Sequence, residues 1–235
     1  MEAVTARHGQ LEAVSGVALK VELGDRIAIG GANGAGKTTF LRTLAGAHPA
    51  TSGRIFFQET DITLQAAYKR VGLGLALAPE GRRLFPDMSV EENLALARHV
   101  GRRGAWTMDR VMNAFPNLKE RRKARAGTLS GGEQQATAIG RALMTNPVLL
   151  LLDEVSLDVS PLAVDRVYDS LETLKGAETA MIFVEHDLDR AFALATRMLC
   201  MLEGRVVLDG APDSLTREEV TQAYFGLGRP SAETR

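Results

Sequence analysis

The segment Gly31-Ala32-Asn33-Gly34-Ala35-Gly36-Lys37-Thr38 spaces its glycines, lysine and threonine as G-x-x-x-x-G-K-[ST], the pattern of a loop that cradles phosphates. The residue types follow from that task. Glycines let backbone N–H groups turn inward around phosphate oxygens, and the start of a following helix adds partial positive charge. Lys37 is expected to reach the β- and γ-phosphates of a nucleoside triphosphate, and the Thr38 hydroxyl to ligate Mg²⁺. With Thr39 beside it, the whole run from Gly31 to Thr39 is the expected nucleotide-binding stretch. Such a loop needs a second magnesium anchor at the end of a neighbouring strand. Val148-Leu149-Leu150-Leu151-Leu152-Asp153-Glu154 offers Asp153 for the ion, through water, and Glu154 as general base for the attacking water. In Leu129-Ser130-Gly131-Gly132-Glu133-Gln134-Gln135, a capped helix start with paired glycines exposes N–H groups and a serine hydroxyl to an anion.

The elements needed to hold these groups can be read around them. Val17–Leu23 alternates as a strand, Gly24-Asp25 turns, and Arg26–Gly30 forms a strand feeding the glycine loop. Thr38–Ala45 then reads as a helix with Phe40, Leu41 and Leu44 inward, stopped by Gly46. Strand-like pieces follow at Arg54–Phe57 and Gly74–Ala78, and from about Ser89 to Met144 the texture is helical. Ser89 with Glu92, and Ser130 with Glu133, make capping boxes; Asn146-Pro147 ends that stretch. Val148–Leu152 and Ala180–Val184 read as strands buried on both faces. Ser160-Pro161 opens a helix with Val164, Val167, Tyr168 and Leu171 on one side, and another follows with Leu188, Ala191, Phe192 and Ala195 inward. A hairpin around Glu203-Gly204 and a short helix capped by Thr216 and Glu219 complete the chain. Strands first, then alternating strand and helix around a helical insert, predict an α/β protein.

Composition narrows the function classes. The chain has 235 residues, 45% hydrophobic and 24% charged, enough for a sizeable core. Lysine and arginine number 28 against 29 acidic residues, a formal charge of -1, so no nucleic-acid partner is expected. Cys200 has no partner for a disulfide and no zinc spacing accompanies it, which places the chain in a reducing compartment, with Cys200 in the core. No stretch approaches the ~18 apolar residues of a membrane span, and the N-terminus has no leader pattern.

With the glycine loop, the Ser130 segment and the Asp153 strand in that order, the chain resembles the ATP-binding cassette (ABC) family from roughly Val4 to Gly226. The resemblance implies a P-loop NTPase core with a mainly parallel sheet, an N-terminal antiparallel β subdomain and an inserted helical subdomain at about 82–146, as one nucleotide-binding domain over 1–235. It implies ATP and Mg²⁺ as ligands and ATP hydrolysis as the reaction. Ser130, Gly131, Gly132 and Glu133 become the signature that closes over ATP held by a second subunit. His186, in Phe183-Val184-Glu185-His186-Asp187, matches the switch histidine that contacts the γ-phosphate. Glu80, in Pro79-Glu80-Gly81-Arg82-Arg83, stands where the family carries glutamine and is placed near Mg²⁺ or the water; His8 stands where an adenine-stacking aromatic is usual. Val155 replaces a common proline, Ser160 falls where a bridging aspartate is usual while Asp158 comes earlier, and Gly30 replaces an aliphatic residue.

Within the family, Pro79–Pro86 with Val90-Glu91-Glu92-Asn93-Leu94, and Leu118-Lys119-Glu120-Arg121-Arg122, resemble the LivF-type subunit of branched-chain amino-acid importers, although His186 matches the LivG type. Importers of amides or urea share these stretches, and a non-transport ABC ATPase is the remaining alternative. The implied partners are a second ABC ATPase subunit (a copy of itself or a LivG-like chain), transmembrane permease subunits and a separate solute-binding protein, with the chain peripheral at the cytoplasmic face of the membrane. Phe85, Pro86 and Met88 either receive a short helix from such a partner or pack the insert on the core. The run Arg121-Arg122-Lys123-Ala124-Arg125 is expected on a solvated helix face, and Trp106 is left without a role. A kinase or GTPase reading fails for want of an Asn-Lys-x-Asp motif, and Gly72-Leu73-Gly74-Leu75-Ala76-Leu77 lacks the third glycine of a dinucleotide site.

Overall fold

Aliphatic runs too apolar to alternate become strands covered on both sides, and here they set the centre of the molecule. The computed structural model describes residues 1–157, 159–173 and 179–227. Along them run β1 (Glu2–His8), β2 (Leu11–Val17), β3 (Arg26–Gly30), α1 (Lys37–Ala45), β4 (Ser52–Arg54), β5 (Phe56–Phe57), β6 (Thr60–Asp61), α2 (Ala67–Leu73) and β7 (Leu75–Ala78). Then come α3 (Val90–Arg98), α4 (Met108–Ala114), α5 (Gly131–Leu143), β8 (Leu149–Leu152), α6 (Pro161–Glu172), β9 (Ala180–Val184), α7 (Leu188–Leu194), β10 (Arg197–Leu202), β11 (Arg205–Gly210) and α8 (Arg217–Phe225).

Among the described residues a six-stranded sheet runs in the order β11-β10-β3-β9-β8-β7. Its neighbours are parallel except β10 and β11, which form the hairpin expected around Glu203-Gly204. A second, antiparallel sheet, β2-β1-β4, covers one face. Strand pleat sends successive side chains to opposite faces. Ile27 and Ile29 of β3, Leu149 and Leu151 of β8, and Ile182 and Val184 of β9 join α1 and the antiparallel sheet in one core. Ala28, Leu150, Leu152, Met181 and Phe183 join α3, α5 and α6 in the other. This is the α/β arrangement of a P-loop NTPase: the glycine loop that leads into Lys37 at the start of α1 follows β3, and Asp153 and His186 follow β8 and β9. In such parallel sheets ligands bind beyond the carboxyl ends of the strands.

Several expectations need correcting. Val17 ends β2, and Val17–Leu23 is not a strand of its own: Val17 and Leu19 are buried, and beyond β2 the segment is held by separate bonds, the Met1 ammonium donating to the Leu19 carbonyl at 2.8 Å, the Leu19 amide to that of Met1 at 3.2 Å and Arg197 to the Lys20 carbonyl at 3.0 Å. Its alternation records burial without a ladder. Arg54–Phe57 breaks at Ile55, whose amide donates to Thr63 Oγ1 at 2.9 Å. The helical texture after Ser89 divides into α3, α4 and α5. Gly101 is pressed against Thr145, where a β-carbon would lie 2.4 Å from its Cα, and Asn146 Oδ1 accepts from the Trp106 amide at 2.7 Å. Trp106 is thereby clipped and buried, with the Arg110 guanidinium 4.5 Å from its ring. Residues 121–125 lie in turns rather than on a helix, because the Arg122 and Ala124 carbonyls accept from the first amides of α3, Glu91 and Val90. Ser160 precedes α6 without a side-chain cap; Pro161 alone marks that start.

α1 is anchored from below by Arg70, which is 2% exposed. Its guanidinium donates to the Thr43 and Leu44 carbonyls at 2.9 and 2.7 Å, the last turn of α1, and to Gln65 and Thr63 at 3.0 and 2.9 Å. Burial holds its pKa below the usual arginine value. Arg70→Met strands buried carbonyls and is expected to lower unfolding stability by about 2–4 kcal/mol, with Arg70→Lys failing to restore it because one ammonium cannot span the fork. Denaturant unfolding midpoints check this; an unchanged midpoint would show that α1 needs no such anchor.

Candidate active site

The phosphate loop is built from close backbone approaches. A β-carbon on Gly31 (φ 139°) would lie 2.3 Å from the Met201 carbonyl, and one on Gly36 (φ 100°) 2.1 Å from that of Ala13. Only glycine fits at either end, so the loop folds tightly onto β2 and β10 while Gly36 launches α1. No acidic residue lies in the first turn of α1, leaving its amides and dipole for an anion. Lys37 is 5% exposed, and its Nζ donates to the Gly31 and Ala32 carbonyls at 2.7 and 3.1 Å, lying across its own loop. Burial pulls its pKa down, against the opposing pull of Glu154 and Asp153.

Facing it is a carboxylate with an unmet need. Asp153 is buried at the end of β8; Oδ1 accepts from Thr38 Oγ1 at 3.1 Å, and Oδ2 is buried with no hydrogen-bond partner. Desolvation, with smaller pushes from Glu154 and Glu80 and against the Thr38 bond, raises its pKa to about 6. A buried hard oxygen without a donor, beside a hydroxyl, suits a hard divalent cation. Glu154 follows in a left-handed conformation, φ 57°, that turns its side chain away from the strand line. Its Oε1 lies 3.4 Å from His186 Nε2, and His186 Nδ1 meets the Tyr224 hydroxyl at 2.8 Å.

Glu80, Glu154, His186 and Tyr224 line a cleft of about 1010 Å³ together with the loop from Ala32 to Thr39, and Asp153 is not part of its lining. His8 stands at its edge, Nε2 3.1 Å from Thr39 Oγ1, its ring 4.4 Å from that of His48 and tilted 40°. Sequence reasoning missed Tyr224, Phe225, Leu11, Ala13 and Ser156, which also line the cleft. No spacing announces them; a tyrosine in a short terminal helix reaches His186 only through the fold. At Gly30 a β-carbon would make ordinary contacts, 3.7 Å from the Tyr224 ring and 3.6 Å from Cys200 Sγ. Cys200 is buried, its thiol pushed up to about 11 by burial. Val155 is buried, its amide donating to Val184. Asp158 lies outside the described residues.

The Ser130 segment is elsewhere. None of Ser130, Gly131, Gly132 or Glu133 lines the cleft. Ser130 is exposed at the start of α5, its Oγ accepting from the Glu133 amide while the Glu133 carboxylate accepts from the Ser130 amide at 2.8 Å, the capping box expected. Gly132 is buried because a β-carbon there would strike Ala163 at 2.5 Å; it lets α6 close on α5.

A glycine cradle, a buried lysine and an orphaned strand-end aspartate define a P-loop nucleoside triphosphatase. The ABC transporter family profile matches residues 14–156, and the chain belongs to that family as an ATPase subunit. It is 39% identical over 226 residues to the high-affinity branched-chain amino acid transport ATP-binding protein BraG of Pseudomonas aeruginosa, covering 95% of this chain and 97% of that one. To the probable branched-chain amino acid transport ATP-binding protein LivF of Archaeoglobus fulgidus it is 32% identical over 195 residues, 82% of this chain and 83% of that one. A crystal structure of the ADP conformation of an ABC transporter's ATP-binding cassette superposes with a TM-score of 0.77 at 26% identity, covering 94% of this chain and 92% of the other. Among the described residues no helix is long and apolar enough to cross a membrane.

Proposed function

We propose that this chain works as one half of an ATP-driven pair that powers a branched-chain amino-acid importer through separate membrane subunits. The observation that carries the pairing is the separation within one copy: the phosphate cleft holds Lys37, Glu80, Glu154 and His186, while Ser130 stands exposed at the start of α5, outside it, with Gly131 half-buried beside it. A second copy, or a LivG-like partner, placed head to tail brings its Ser130, Gly131, Gly132 and Glu133 over the γ-phosphate. The solute class rests on the two similar transport proteins, of Pseudomonas and Archaeoglobus. Working at a permease, such a subunit is peripheral at the cytoplasmic face, with a solute-binding protein on the other side.

In this reading the loop from Gly31 to Thr39 binds the phosphates, Lys37 swings from its own carbonyls to the β/γ oxygens, and His8 borders the base. Thr38 and Asp153, with Glu80 nearby, would hold Mg²⁺, which supplies neutralisation of phosphate charge. Glu154 takes the proton of the attacking water, and His186 leaves its contact with Glu154 to donate to the γ-phosphate. The Tyr224 hydroxyl lies 2.8 Å from Nδ1; in the tautomer in which it donates there, the proton of His186 sits on Nε2, the nitrogen facing the chemistry.

Ser130→Arg tests the pairing. The isolated chain is expected to bind ATP with unchanged affinity yet lose turnover by about 100-fold or more, because the blocked serine acts on the partner's nucleotide. ATPase activity per subunit should also rise with protein concentration. Full turnover by Ser130→Arg, or by dilute single copies, removes the pairing. Co-purification with its permease and ATP-dependent uptake of labelled leucine into proteoliposomes tests the solute; uptake of amide or urea instead reassigns it.

A further inference from the structure

Glu185 follows the last residue of β9, directly ahead of His186, and is 1% exposed. Its Oε1 accepts from Ser156 Oγ at 2.7 Å, from the His186 amide at 2.7 Å and from the Asp187 amide at 2.9 Å. Its Oε2 accepts from the Tyr168 hydroxyl of α6. None of these donors is a cation, so a buried carboxylate is held by dipoles converging from three segments. Two of those segments carry the reacting groups: Ser156 lies just past Glu154, and His186 is the next residue along. The backbone tie between the two strand ends, Val155 amide to Val184 carbonyl, is 3.4 Å long, against 2.7 Å for Ser156 to Glu185.

We infer that Glu185 is a positioning residue for hydrolysis: through Ser156 and the His186 amide it ties the loop after Glu154 to the switch turn, and so sets the distance at which Glu154 and His186 meet. Glu154 makes this tie necessary, since its left-handed backbone departs from the strand, beyond the last paired residues of β8 and β9, Leu152 and Phe183. Tyr168 fixes the second oxygen, so the carboxylate cannot rotate to release the loop. The inference rests on Glu154 and His186 being the hydrolytic pair, and its test separates the two ideas.

Ser156→Ala removes one hydroxyl and leaves Glu185 its other donors. Turnover is expected to fall about 10-fold, since small misplacements of reacting groups cost up to ~100-fold, with KM for ATP and the thermal midpoint unchanged. Glu185→Ala should lose more, and Glu185→Gln should recover most of that loss, because its amide oxygen keeps the three Oε1 bonds and its amide nitrogen donates to Tyr168. Wild-type kcat in Ser156→Ala while Glu154→Gln is inactive overturns the positioning role. So does a loss that appears in KM, which would mean that Ser156 serves the nucleotide directly. Normal turnover by Glu154→Gln overturns the underlying pair and this inference with it. Should Glu185→Ala fail to fold, Ser156→Ala and Glu185→Gln still decide.

Discussion

Glu154→Gln is expected to bind ATP normally and to hydrolyse it about 10²–10⁴-fold more slowly, the range spanned by loss of a positioned general base. The substitution is nearly isosteric, and an amide can still meet His186 Nε2 where Oε1 now lies at 3.4 Å, so the cleft keeps its shape. What disappears is the ability to take a proton from water. Removing one of the charges that crowd Asp153 also favours an anionic ligand, since Glu154 and Glu80 both push the Asp153 pKa upward. Nucleotide affinity should therefore hold or tighten while kcat falls. With hydrolysis stalled, the ATP-closed pair accumulates, and size-exclusion chromatography with ATP should shift the variant, and not the wild type, to twice the monomer mass. Single-turnover measurements distinguish slow chemistry from slow release. A variant with wild-type kcat would move the base elsewhere, leaving Glu80 or His186 in the cleft as the remaining groups to examine.

What could be read from the chain beforehand follows a physical line. Leu149–Leu152 is legible because a strand covered on both faces must be aliphatic throughout, and it delivers Asp153 to the sheet edge. The starts of α3, α5 and α8 are legible because Ser or Thr followed by Glu at the third helical position bonds reciprocally, and all three boxes form. Contacts between distant segments are not legible. Tyr224 on His186, Ser156 on Glu185 and Arg70 beneath α1 each depend on where a remote element comes to rest, and none has a periodic signature. Val17–Leu23 misled for the opposite reason: alternation reports burial, and burial does not require a ladder partner. The basic run at 121–125 misled likewise, since its composition suits a helix but its carbonyls are taken by α3.

Lys37→Ala should abolish ATP binding at concentrations that saturate the wild type, without destabilising the fold. Among the described residues lining the cleft, Lys37 is the one lysine or arginine, facing Glu80 and Glu154 with Asp153 behind. Without it a triphosphate enters a pocket whose remaining formal charges are negative. An ammonium about 4 Å from a phosphate oxygen at an effective dielectric near 20 contributes about 4 kcal/mol, roughly 10³-fold in affinity. The protein itself loses little. Burial disfavours the charged lysine, as its lowered pKa records, and Ala32, one of its two carbonyl partners, lines a cleft that water can fill. Thermal unfolding reads both effects at once. Wild type at 100 times Kd in ATP should gain about 2.7 kcal/mol, whereas the variant should start from an equal or higher midpoint and gain almost nothing. A variant that still gains the full ligand stabilisation would show that backbone amides alone hold the phosphates, and the lysine would then be needed only once charge moves toward the leaving ADP.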